Sequence, residues 1–215
     1  MRVGVVVPAR DEEDRVEECL RAVHAAIRHA GVPGWVCVVA DRCTDRTADV
    51  AAPYARVVRT GRARTVGEVR DLGVRHLPPV DWLCNTDADS VVPPTWVADQ
   101  LRHAAAGADA VAGPVDLDAE LPGVAAERYR RLLTGTDGHA YAANLGVRAT
   151  AYHAVGGFPA VPHGEEHALL ARLRDAGFRV VRPPEVRVRT SARTTGRAAG
   201  GLADLLDGLL DGLGA

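Results

Sequence analysis

Short apolar runs alternate with stretches of helical spacing through the first half of the chain. Val3–Val7 is continuously apolar, is closed by Pro8, and reads as a strand buried on both faces. Residues 12–30 follow with Val16, Leu20, Val23 and Ile27 at the spacing of one helix face. Trp35–Ala40 reads as a second buried strand. It ends in the polar stretch DRCTDRT, where Thr44 or Asp45 is placed to cap a helix running to Ala52. Strands at 55–59, 81–85 and 109–113 alternate with helices at 63–76 and from Pro93 or Pro94 to about Ala106. This β-α succession predicts an α/β fold with a mostly parallel sheet and helices on both faces.

The second half is less regular. Helices are predicted over 124–133, 150–155 and 165–176, the last stopped by Gly177, with extended segments at 142–148, 178–182 and 186–189. From Leu202 onward, Leu205, Leu206, Leu209, Leu210 and Leu213 share one face, with Asp204, Asp207 and Asp211 opposite. Such an acidic amphipathic helix is ill suited to anionic membranes and makes a homodimer through this helix a candidate.

Composition narrows the classes. The 215 residues and 47% hydrophobic content suit one domain with a real core. A formal net charge of −2 gives no global basic field for nucleic acid. All 26 basic residues are arginines, which excludes any mechanism needing a catalytic lysine. Cys19, Cys37, Cys43 and Cys84 form no C-x-x-C pair and no zinc spacing, and two lie in apolar runs, which favours a reducing, cytoplasmic setting. No apolar stretch is long enough for a transmembrane helix, and the N-terminus enters a strand without a signal peptide.

In an open α/β sheet the ligand lies beyond the carboxyl ends of the strands. The polar clusters at 9–12, 41–45 and 87–89 all fall there. NTDADS (85–90) puts two carboxylates one residue apart at a strand end, a pair able to converge on a hard divalent cation, Mn²⁺ or Mg²⁺, that would neutralise a diphosphate. One aspartate could equally cap the next helix. D-A-D-S-V also resembles the nucleophile motif of haloacid-dehalogenase-type phosphatases. That family carries the motif on its first strand and uses a downstream basic residue, usually lysine; here the motif follows the fourth strand and the chain has no lysine.

Taken in order, VVVPARDEED, VVADRCTDRTADVA, GRARTVGEVRDLGV and NTDADSVVPPTWV resemble the succession found in family 2 glycosyltransferases of the GT-A fold. The resemblance covers 3–113 well and continues more loosely to about 190. It implies a GT-A domain over 1–190, with a nucleotide-sugar-binding half (1–113) and an acceptor half (114–190). A flexible Arg/Gly-rich loop and the amphipathic helix follow over 191–215. It implies a nucleoside-diphosphate-sugar donor, a UDP-sugar first among them, an acceptor of unknown identity, and a divalent cation. Pro8, Ala9, Arg10 and Glu12 would line the nucleotide pocket, with Asp11 standing where the family usually has asparagine. Asp41 would accept a nucleobase N–H, and Arg64 would stand near the donor phosphates. Asp87, Ala88 and Asp89 would form the D-x-D, with Asp89 the principal metal ligand and Asp87 on ribose or metal.

Further on, YAANLGVRATAYHAVGGF resembles the family's segment near donor sugar and acceptor, matching at Asn144, Arg148, Gly156 and Gly157. HGEEHALLARLRDAG resembles the segment whose second acid is the general base of inverting transfer, which assigns that role to Glu166, with Glu165 before it. A first-turn acid favoured by the helix dipole is the plainer reading of both glutamates. His163 and His167 flank them as lesser candidates for metal or acceptor. Arg193 and Arg197 could close over a diphosphate, since guanidinium pairs bidentately with phosphate oxygens. The same fold without turnover, as a nucleotide-binding assembly protein, is the rival from another class.

Overall fold

The computed structural model describes residues 1–134, 140–196 and 201–211. Strands β1 (Val3–Ala9), β2 (Gly34–Asp41), β3 (Arg56–Thr60) and β4 (Trp82–Asn85) pair in parallel, with β1 between β2 and β4. Val3, Val5 and Val7 face α1 (Val16–Ala30), α2 (Thr47–Ala51) and α4 (Trp96–Ala105). Val6 points the other way, into a cluster with α3 (Val66–Arg75), α6 (Ala149–Ala154) and α7 (Glu165–Asp175). Burial on both faces is why the run is continuously apolar instead of alternating.

The sheet continues past β4 through β8 (Leu145–Arg148), β6 (Ala110–Ala112) and β9 (Val180–Val181), giving the order β3-β2-β1-β4-β8-β6-β9. Its pairings are parallel except the two made by β8. The α/β architecture expected from the sequence is therefore present: a mostly parallel sheet between two helix layers.

Several boundaries differ from the sequence reading. β1 runs through Pro8, which pairs with Val39. Thr86 donates to the Val6 carbonyl, so the backbone groups of Val6 and, two residues on, Pro8 point toward β4. β4 has ended by then, and the N–H that proline lacks has no ladder partner to miss. α1 begins at Val16, not Glu12, because residues 12–15 form a turn in which the Glu12 carbonyl accepts from Arg15 and Val16. Residues 142–144 form a 3₁₀ turn ahead of β8.

A second, three-stranded sheet joins β5 (Ser90–Val91), β10 (Val188–Thr190) and β7 (Val115–Leu117). It ties the segment after the D-x-D to the region near residue 190. Finally, α8 (Leu202–Asp211) lays Leu206, fully buried, against Tyr129 of α5 (Gly123–Thr134), Val115 and Tyr141, with Leu202, Leu205 and Leu209 beside it. Leu202, Leu205, Leu206 and Leu209 of this helix are packed inside the chain, and Leu213 lies outside the described residues. Among the described residues no helix is long and apolar enough to cross a membrane.

Candidate active site

The carboxyl ends of β1, β2 and β4 open on one cleft of about 530 Å³. Pro8, Ala9, Arg10 and Glu12 line it from β1, Asp41 and Arg42 from β2, and Asp87, Ala88 and Asp89 from β4. The opposite wall brings Tyr141, Ala142, His163, Glu165 and Glu166, and the C-terminal segment adds Ser191, Arg193 and Leu202. Asp41 is buried; one carboxylate oxygen takes Arg42 (Nη2 at 2.5 Å) and the other, Oδ1, has no hydrogen-bond partner among the described residues. An unsatisfied buried acceptor on a cleft wall is matched to a ligand N–H.

Five acids converge around two arginines. Arg70, buried on α3, donates through Nη2 to Asp87 Oδ1 (2.6 Å) and through Nε to Glu165 Oε1 (3.3 Å). Arg193 donates through Nη1 and Nη2 to the two oxygens of buried Glu12 (2.9 and 2.5 Å) and meets Asp89 Oδ2 at 2.9 Å. Asp89 sits with 11% of its side chain exposed. Burial and the charge of Asp87, partly offset by Arg193, push its carboxyl up to about 6. Glu165 and Glu166 begin α7 behind Gly164, which is left-handed at φ 71°. Glu165 is 4% exposed and tied to Arg70, whereas burial and the neighbouring Glu165 raise Glu166 to about 7. The two glutamates, equivalent in sequence, are thus separated by their partners.

The sequence model of Glycosyl transferase family 2 matches residues 4–141. The chain belongs to glycosyltransferase family 2. No individually characterised protein matches the sequence closely enough to count as a relative. Among solved structures, residues 1–349 of TarS from S. aureus in complex with UDP-GlcNAc superpose with a TM-score of 0.70 at 14% identity, covering 94% of this chain and 61% of that one. The mannosyltransferase PcManGT from Pyrobaculum calidifontis, in complex with GDP-Man and Mn²⁺, gives 0.72 at 19% identity, covering 90% and 58%. At these identities the likeness is one of fold, and this chain spans about three-fifths of those two chains.

The family positions fare differently in the cleft. Those at 8–10, 12, 41, 87–89, 165, 166 and 193 line it. Arg64 also reaches its wall, but its side chain is 87% exposed beside Glu68. Asp11 does not line it; it adopts φ 51° and takes the Thr44 backbone N–H on Oδ1 (2.7 Å). Asparagine and aspartate share tolerance of that conformation, which explains the exchange at this family position. Asn144 is fully buried behind the wall, accepting from Trp96 Nε1 (2.9 Å) and donating to the carbonyls of Pro114 and Val186. Arg148 pairs with Asp109 away from the cleft. His163 lines the cleft and His167 does not. Arg197 lies outside the described residues. Arg193, expected in a flexible loop, is instead held by two carboxylates.

The residue that sequence reasoning missed is Arg70. Its signal was present: it falls on the stripe Val66, Val69, Arg70, Gly73, Val74, where a charge on a buried helix face requires a partner. Glu12 and Asp89 share the Arg193 guanidinium, with Asp87 on the same cleft wall; carboxylates of this kind are hard-oxygen donors that could hold a divalent cation. A second cluster, Asp11, Cys43 and Asp45, lies aside. The loop itself uses the oxygens there, with Asp45 taking Thr47 and the Glu13 N–H and Asp11 taking Thr44.

Proposed function

We propose that this protein transfers a sugar from a nucleoside-diphosphate sugar, with UDP as the leading nucleotide, to an acceptor hydroxyl, with inversion and with a divalent cation. The observation carrying the reading is Glu166: a cleft-facing carboxyl raised to about 7, in the same cleft as the Asp87–Asp89 pair. A base poised near neutral pH is what proton removal from a hydroxyl requires. The acceptor oxygen bonds to the anomeric carbon as the bond from that carbon to the diphosphate oxygen breaks, and the hydroxyl proton passes to Glu166.

Asp89, with Asp87, would hold Mn²⁺ or Mg²⁺, which supplies charge neutralisation for the leaving diphosphate. Arg70 holds Asp87 and Glu165 in place. Asp41 Oδ1, without a hydrogen-bond partner among the described residues, suits a nucleobase that presents an N–H donor, such as the ring N–H of uracil or guanine. The solved relatives hold UDP-GlcNAc and GDP-Man, which supports screening both nucleotides. Buried free thiols at Cys19, Cys37 and Cys84 suit a cytoplasmic setting.

The test is thermal unfolding with UDP, GDP, dTDP or CMP, each with and without Mn²⁺. A ligand at about 100 times its Kd adds ~2.7 kcal/mol, a shift of several degrees. The expected result is a metal-dependent shift with UDP, followed by an inverted anomeric configuration in the product. No shift with any nucleotide removes the donor site, and retention of configuration removes Glu166 as the base of a single displacement.

A further inference from the structure

Asp89 has no free carboxylate oxygen. Oδ2 carries Arg193 at 2.9 Å, and Oδ1 accepts from Thr190 Oγ1 at 3.5 Å. The same guanidinium spans both oxygens of Glu12, which is 7% exposed. One guanidinium thus offsets the charge of two buried carboxylates at once. A cation approaching Asp89 therefore meets a position already neutralised.

The backbone around Arg193 is fixed. Thr190 belongs to β10, and the Ala192 N–H donates to Asp118 Oδ1 (2.8 Å), whose other oxygen takes Arg15 (3.0 Å). Arg193 follows that anchor with 28% of its side chain exposed, on the cleft wall. A turn of its long side chain into the cleft it lines would leave the anchored backbone of β10 in place.

We propose that Arg193 is a resident counter-cation which a divalent ion displaces from Asp89, so that metal entry and the swing of Arg193 are one exchange. This rests on the reading of Asp89 as a metal ligand. The exchange makes metal binding weaker than the acid cluster alone would give, and it releases a guanidinium into the cleft only when metal is present.

The experiment measures Mn²⁺ affinity of the nucleotide-free protein, by the paramagnetic resonance signal of free Mn²⁺, for wild type, Arg193→Gln, Arg193→Lys and Asp89→Asn. Removing the competing charge in Arg193→Gln should tighten Mn²⁺ binding about tenfold or more, while Arg193→Lys, which keeps the charge but loses the bidentate fork, should fall between Arg193→Gln and wild type. Asp89→Asn should lose binding. In wild type, Mn²⁺ should also speed phenylglyoxal labelling of Arg193, read by peptide mass spectrometry, and Asp89→Asn should show no such change. If Arg193→Gln binds within about twofold of wild type while Asp89→Asn loses the metal, the exchange is wrong and the metal site stands. If Asp89→Asn binds like wild type, or no form binds, both readings fall. Should Arg193→Gln not fold, wild-type labelling decides, and labelling indifferent to Mn²⁺ overturns the exchange.

Discussion

Glu166 and Asp11 show how partners, not residue type, assign roles. Glu166 should work ionised, so turnover should rise as pH passes through about 7, and Glu166→Gln should lose at least about 10²-fold in kcat along with that limb of the profile. Its raised value also has a stability consequence. Between the ordinary value of 4.5 and about 7 the folded protein binds the proton more tightly than the unfolded chain, so this group's contribution falls as pH rises across that window. Glu166→Gln should therefore unfold at a higher temperature than wild type at pH 8 and at a similar one at pH 4; a lower value at pH 8 would refute the burial assigned to it. At the β1–α1 loop, Asp11→Asn keeps both the acceptor and the left-handed backbone, whereas Asp11→Ala loses both and should cost about 1–2 kcal/mol in denaturant unfolding.

The site depends on how closely α3 and α7 approach. A Cβ on Gly67 would lie 2.5 Å from the Pro159 carbonyl oxygen and 3.2 Å from Glu165 Cβ, so only glycine lets Arg70 reach Glu165 at this spacing. Gly67→Ala should destabilise the fold by about 1–3 kcal/mol and lower kcat more than it raises KM, measured by denaturant unfolding and steady-state kinetics. At the other end of the chain, Leu206→Ala should cost about 2–5 kcal/mol by opening a cavity between α8 and α5. The long elements were legible because each carries a repeated apolar pattern, as in α1. β5 and β7, of two and three residues, carry no period to read, and they exist because β10 pairs between them.

The molecule as a whole brings its two ends together over one cleft, with Arg193 and Glu12, 181 residues apart, in contact. Nucleotide and Mn²⁺ should accordingly raise the unfolding temperature as one cooperative transition; two separated transitions in calorimetry would mean that the C-terminal segment melts apart from the sheet. The order of motifs already carried the resemblance to the family, while the alternation of strands and helices, a periodicity that a linear chain displays, determined the parallel sheet and the strand-end position of 8–12, 41 and 87–89. The tertiary structure alone decided that Glu165 is bound to Arg70 while Glu166 faces the cleft, that Asn144 and Asp11 brace loops, and that Arg193 sits on Asp89. Those outcomes depend on contacts between residues far apart in sequence and on the charge balance of a buried cluster. The local pattern shows at most that a charge such as Arg70 on an apolar helix stripe needs a partner, not which partner it takes.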